Sequence, residues 1–243
     1  MKTIVAVILV ISFFLLTGCS ASKEWTLATG QHPHSFEKEV VKKASLNFLL
    51  YLPKNYGEPG KTYPLLMFLH GSGERGNDLN KLKVHSIPNI VDGKDDFPFI
   101  VVSPQCPESK RWDAEELNLL LDDIIARLPI DTTRVYLTGL SMGGYGTWKF
   151  AAAYPERFAA IAPVCGGGTL EDTWRLRDMP VWAFHGAKDD LVLPIESERM
   201  IESLKRMGNT KVKYTVYPEA NHNSWDATYA NPELYEWFLQ HKK

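Results

Sequence analysis

The sequence predicts an α/β fold: a mostly parallel sheet of about eight strands, helices on both faces and no large cap domain. Three observations predict it. Short apolar, β-branched runs alternate with helix-period patterns from about residue 37 to the C-terminus. Several of these runs are apolar at every position, as strands buried on both faces are. The 243-residue length suits one such domain and is too short for two large ones.

The elements follow in order. Glu37–Ala44 and Ser45–Leu52 read as an opening antiparallel pair, and Tyr63–Leu69 as a buried strand ending at His70-Gly71. Phe99–Ser103 is the next strand. A helix comes after it, with Asp113 as N-cap and Glu116 at the capping-box position. Leu117, Leu120, Leu121, Ile124 and Leu128 form its apolar face. Arg134–Thr138 is a strand running into Gly139-Leu140-Ser141, and the following helix ends near Tyr154, before Pro155. Ala159–Val164, Val181–Phe184 and Lys211–Tyr217 are three more strands. In the last, Lys211 and Lys213 alternate with apolar residues, a pattern that suits a sheet edge. A helix from about Asn231 to Gln240 closes the chain.

Composition excludes several classes. At 44% apolar and 23% charged, the chain is neither a disordered polymer nor a multi-span membrane protein. Lys plus Arg number 27 against 29 for Asp plus Glu, so no basic excess points to nucleic acid.

The first residues carry an address. Lys2 precedes an apolar run from Ile4 to Leu16, too short as a helix to span a bilayer and typical of a secretory signal. Leu16-Thr17-Gly18-Cys19 then resembles the lipobox of bacterial lipoproteins. The resemblance implies that residues 1–18 are removed, that Cys19 is acylated and anchors the protein to a lipid bilayer outside the cytoplasm, and that residues 19–36 form a tether. The catalytic domain would span 37–243.

Gly139-Leu140-Ser141-Met142-Gly143 fits G-x-S-x-G, in which a serine sits on a tight strand-to-helix turn and flanking glycines avoid a clash. Composition alone yields such a pentapeptide in roughly one chain in fifteen of this length. The strand before Ser141 and the helix after it supply the context that the motif requires.

With His70-Gly71-Ser72-Gly73-Glu74-Arg75-Gly76, His185-Gly186-Ala187-Lys188-Asp189 and Asn221-His222-Asn223-Ser224-Trp225 in the same order, the chain resembles the α/β-hydrolases. More narrowly it resembles their dienelactone-hydrolase and esterase-like branch, which includes predicted extracellular peptidases and feruloyl-type esterases. The resemblance covers about residue 45 onward. It implies a carboxylic-ester hydrolase with Ser141 as nucleophile. In this fold acid and base follow the serine in the order acid, then histidine. His32, His34, His70 and His85 precede Ser141, His185 precedes the candidate acid, and His241 lies two residues from the terminus, which leaves His222 as the base. His185 suits a turn-packing role. Asp189 matches the family's acid position, with the adjacent Asp190 as the alternative. The resemblance also implies an oxyanion hole from the backbone amides of Ser72 and Met142, with Gly73 as a substitute for Ser72 and a contributor to substrate binding.

Other residues carry weaker expectations. Ion pairs of Glu74 and Arg75 that hold the oxyanion loop outweigh a direct contact of Arg75 with substrate. Trp112, Trp174 and Trp225 are candidates for a substrate wall or for the core, with Trp225 leading because it lies three residues past His222. Cys106 and Cys165 follow strands three positions apart in the usual order for this fold, about 14 Å, so two free thiols are expected instead of a disulfide. No H-E-x-x-H or similar pair points to a catalytic metal, and no cofactor is implied.

Only 16 residues, Cys165 to Pro180, connect the strands between which this fold inserts its large lids. That predicts an open, shallow cleft for acyl groups on larger, polymer-linked or polysaccharide-linked esters. Two alternatives stay open: a serine peptidase of the same fold, and a non-catalytic surface-binding protein.

Overall fold

Seven strands form a single sheet in the computed structural model, which describes residues 31, 36–39, 41–94 and 96–243. The strands are β1 (Asn47–Tyr51), β2 (Tyr63–Leu69), β3 (Ile100–Gln105), β4 (Ile130–Leu140), β5 (Ala160–Val164), β6 (Val181–Gly186) and β7 (Val212–Tyr217). Their order across the sheet is β1-β3-β2-β4-β5-β6-β7. Only β1 runs antiparallel, against β3, and every other pairing is parallel.

Seven strands replace the expected eight because the described residues of 37–44 form no strand. That stretch holds Glu37, Lys38, Glu39, Lys42 and Lys43, so neither face of a strand there could be buried as an apolar row. The lone β1 pairs instead with β3 and caps the sheet. Lys43–Lys243 form one compact unit, and the described residues before it carry no helix or strand. The signal, Cys19, His32 and His34 lie outside the described residues.

The helices are α1 (Ser86–Val91), α2 (Ala114–Arg127), α3 (Met142–Ala153), α4 (Ile195–Arg206), α5 (Trp225–Ala230) and α6 (Pro232–Leu239). Asp113 caps α2 as its sequence implies, accepting from the amides of Glu115 and Glu116 at 3.0 Å. Leu117, Leu121 and Ile124 are buried, while Leu120 and Leu128 are half-buried against the same core. Asn231 caps α6 by accepting from Glu233 N at 3.0 Å. Two apolar layers result, one on each face of the sheet. Leu65, Met67 and Leu69 of β2 point into one, and Leu66 and Phe68 into the other. This explains why β2 is apolar throughout: all seven of its residues are buried.

β7 is an edge strand, paired only with β6, as the lysine pattern predicts. Between β5 and β6 the chain makes a turn and a short 3-10 segment, Leu170–Leu176, with no inserted domain.

The parallel strands bring four loops to one rim. Register pairs Leu69 with Gly139, Leu140 with Val164, Val164 with Phe184 and Gly186 with Tyr217. The carboxyl ends of β2, β4, β6 and β7 therefore lie side by side, where open α/β sheets bind their ligands.

Candidate active site

Ser141 occupies the turn between β4 and α3. Its backbone has φ 53 and ψ −116, in the region that L-residues avoid, which lifts the side chain clear of the strand. The turn is tight enough to demand glycine. A Cβ on Gly143 would stand 1.9 Å from the Leu69 carbonyl oxygen, and one on Gly139 would stand 2.5 Å from the Gly143 oxygen. The G-x-S-x-G spacing is thus a packing requirement between the first turn of α3 and the end of β2.

Asp189 and His222 come to this serine from loops 48 and 81 residues further on. His222 Nε2 lies 2.8 Å from Ser141 Oγ, and His222 Nδ1 lies 2.7 Å from Asp189 Oδ2. The carboxylate acceptor assigns the proton to Nδ1 and leaves Nε2 free to accept from the serine hydroxyl. Asp189 is buried and Asp190 is exposed, which separates the two adjacent acids. The other oxygen, Asp189 Oδ1, accepts from Leu191 N at 3.0 Å and Val192 N at 2.9 Å. Three donors, the Leu191 and Val192 amides and His222 Nδ1, therefore satisfy this buried carboxylate.

His185 packs the turn and also stands behind this carboxylate. Its Nε2 lies 2.8 Å from the Val192 carbonyl and 3.2 Å from Asp189 Oδ2, two acceptors that place the proton on Nε2. Its Nδ1 meets Ser197 Oγ at 2.8 Å. Burial holds its pKa below the ordinary imidazole range, so it serves as a neutral donor. The only sequence signal for this role is its spacing of four residues before Asp189.

The loop after β2 runs beside the serine. A Cβ on Gly71 would stand 3.7 Å from Ser141 Cβ and 2.8 Å from Leu140 Cδ1. The end of β3 pins this loop: Cys106 N donates to His70 Nε2 at 2.9 Å, and Gln105 Nε2 donates to the carbonyls of Glu74 and Asp78 at 2.8 Å. Trp112 Nε1 donates to the His70 carbonyl at 3.1 Å. Ser72 and Gly73 follow directly in this loop, and Met142 N is the first amide of α3, ahead of any helical acceptor.

Glu74 and Arg75 hold the loop in different ways. Glu74 pairs with His85 at 3.3 Å and lies 3.8 Å from His70. Arg75 makes no such pair among the described residues. It donates to the carbonyls of Ser72 at 3.0 Å and Lys110 at 3.4 Å, a bracing role that replaces the expected ion pair.

Of the three tryptophans, Trp225 borders the site, its ring 5.3 Å from the His222 ring and nearly perpendicular to it. Trp112 is buried in the core, and Trp174 is exposed beside Arg175. Cys106 and Cys165 are both buried free thiols, as the strand spacing predicts. Cys165 lies under the site, with its sulfur within 4.8 Å of Asp189 and His222 ligand atoms. Burial pushes that thiol up to about 12, so it is a neutral thiol.

A serine on a strained strand-to-helix turn, with an acid after β6 and a histidine after β7, defines an α/β-hydrolase. The comparisons narrow this. The Esterase family matches residues 41–222, and the chain belongs to that family. It is 29% identical over 150 residues to a bifunctional acetylxylan esterase/xylanase of Neocallimastix patriciarum, covering 59% of this chain and 21% of that protein. A thermostable esterase superposes with a TM-score of 0.71 at 33% identity, over 82% of this chain and 60% of that one. The feruloyl esterase module of Clostridium thermocellum, solved with sinapinate, shares the fold with a TM-score of 0.61 at 17% identity, over 80% and 82% of the two chains. The chain thus spans about a fifth of the length of the acetylxylan esterase/xylanase.

Proposed function

We propose that the protein hydrolyses carboxylic esters through an acyl-enzyme on Ser141. The observation that carries this reading is the continuous hydrogen-bonded line from Asp189 Oδ2 through His222 to Ser141 Oγ, at 2.7 and 2.8 Å. His222 takes the hydroxyl proton as Oγ attacks the ester carbonyl. Asp189 keeps the imidazole in the correct tautomer and stabilises the imidazolium. His222 then delivers the proton to the leaving alcohol, and a water activated by the same nitrogen hydrolyses the acyl-enzyme. The amides of Met142 and Ser72, or Gly73 in place of Ser72, receive the developing oxyanion. One such donor is worth on the order of 10²–10³ in rate. Trp225 and Gly73 flank the substrate. The reaction needs no cofactor.

The substrates are external, polymer-linked acyl esters. The short β5–β6 connection leaves the rim open to bulky alcohols, and the acetylxylan esterase/xylanase relative supports a polysaccharide-linked acyl group. The lipobox-like Leu16-Thr17-Gly18-Cys19 supports cleavage after residue 18, acylation of Cys19 and a tether to residue 36. The catalytic domain, 37–243, would then be held outside the cytoplasm at a bacterial outer membrane or cell surface.

A panel of acetyl, butyryl, long-chain and feruloyl esters with a matched amide tests the chemistry. The expected result is fastest turnover of short or feruloyl esters, slow amide cleavage and Ser141 labelling by a fluorophosphonate. Faster amide than ester cleavage would favour the peptidase reading. Absence of both labelling and turnover would favour a non-catalytic binding protein. For the anchor, Cys19→Ala should move the protein from the membrane to the soluble fraction.

A further inference from the structure

One pair of titratable groups at the rim takes no part in the chemistry above. Glu74 Oε1 lies 3.3 Å from His85 Nε2. The second oxygen, Glu74 Oε2, is buried and makes no hydrogen bond among the described residues. It stands close to the reaction centre. A Cβ on Gly71 would be 3.2 Å from this oxygen and 3.7 Å from Ser141 Cβ, so the two lie no more than about 7 Å apart. A bare carboxylate there opposes a second negative charge on the substrate carbonyl. At an effective dielectric near 20, a unit charge roughly 7–10 Å from an oxyanion formed at Ser141 changes the stability of that anion by about an order of magnitude.

His85 faces this carboxylate from the start of α1. Its Nδ1 meets Ser86 Oγ at 2.9 Å, and its ring lies 5.6 Å from the Trp225 ring, tilted by 33°. Trp225 in turn stands against His222. One imidazole therefore touches both the loop that carries Ser72 and the ring beside the base.

We propose that Glu74 and His85 are a charge-matched positioning pair for the reaction at Ser141: the His85 imidazolium neutralises the Glu74 carboxylate, and losing that proton slows oxyanion formation. The inference rests on the esterase reading of the same site. The charged groups around His85 favour its cationic form. Glu74 faces it from the β2 loop and Asp226 from α5. Lys94 and Asp96 line the same cleft of about 750 Å³ that His85 borders. His70, on the far side of Glu74, is held neutral by burial and adds no competing cation. The Glu74 hydrogen bond raises the His85 pKa against the opposing effect of burial, so the pair keeps its cation to higher pH than a free imidazole would and loses it on the alkaline side.

The test is kcat/KM of the full chain for 4-nitrophenyl acetate from pH 5 to 10, for the wild type, His85→Gln, Glu74→Gln and the double variant. His85→Gln should lose about tenfold or more, mainly in kcat, because it strands the carboxylate. The double variant should recover most of that loss, because it removes both charges. The wild type should show an alkaline decline that Glu74→Gln lacks. A purely structural pair would give a double variant no better than His85→Gln and parallel pH profiles, and either result overturns the proposal. If His85→Gln fails to fold, the wild-type and Glu74→Gln profiles still decide. A wild type that neither turns over ester nor reacts with a fluorophosphonate would overturn the esterase reading and this inference together. An active wild type without the coupling overturns the inference alone.

Discussion

His185 and His222 approach the same oxygen of Asp189, His222 Nδ1 at 2.7 Å and His185 Nε2 at 3.2 Å. His222 is half-buried and also reaches Ser141 Oγ, whereas His185 is buried and pairs with the Val192 carbonyl. On the proposed esterase reading, the carboxylate is thus enclosed from behind while its front face orients the base.

Ser141→Ala should therefore lower kcat/KM for a small ester by about four orders of magnitude or more, with an unchanged melting temperature. Steady-state kinetics beside a thermal melt check both halves. Retention of even a tenth of the rate would show that another nucleophile does the work.

Asp189→Asn should cost on the order of 10³–10⁴ in kcat, because an amide can present N–H to His222 and favour the wrong tautomer. Asp190→Asn should stay within about twofold, since Asp190 is exposed and the His222 contact is made by its neighbour. Equal losses at the two positions would contradict the assignment.

Gly143→Ala should destabilise the fold by about 3 kcal/mol, because the new methyl meets the Leu69 carbonyl at 1.9 Å and must displace a strand end. Urea unfolding of the variant gives the number. A variant as stable as the wild type would mean that the turn has room the structure does not show.

Cys106 and Cys165 should resist maleimide under native conditions at pH 8 and react fully in denaturant. Burial pushes the two thiols up to about 11 and about 12, leaving almost no thiolate at that pH. Peptide mapping of the alkylated protein separates this from a disulfide, which would leave both sites unreactive after unfolding without reductant.

Stability should fall on the acid side of neutrality. Burial keeps the folded-state pKa values of His70 and His185 below the ordinary imidazole value. The unfolded chain then binds more protons than the folded one as pH drops through about 6.5, so stability rises with pH in that window. His85 acts in the opposite sense and offsets part of this. A melting temperature that drops by a few degrees from pH 7.5 to 5.0, and drops less in His185→Gln, is the expected result. Each pKa unit corresponds to about 1.4 kcal/mol, and so to about 3–6 °C for a domain of this size.

Much of the fold was legible because its signals are local. The unbroken apolar run of β2, the Asp113 cap and the alternation in β7 each rest on near neighbours in sequence. The strand expected at 37–44 is absent among its described residues, because an extended pattern carries no information about whether a pairing partner exists. For the site, chain order pointed to His222 and a motif position to Asp189. For His185 the sequence offered only a four-residue spacing before that acid, for Glu74 an ion pair without a named partner, and for the carbonyl bracing by Arg75 nothing.

The sequence by itself determined the alternation of strands and helices, the glycine-flanked serine turn, the spacing of the candidate acid and base, and the short β5–β6 connection. Only the tertiary structure decided which of two adjacent aspartates turns inward, and which of three tryptophans stands at the base. It also decided that a glutamate and a histidine eleven residues apart meet beside the serine. The physical reason is that turns and caps depend on bonds between near neighbours. The partners of a buried charge are chosen by how distant loops pack along the rim of the sheet.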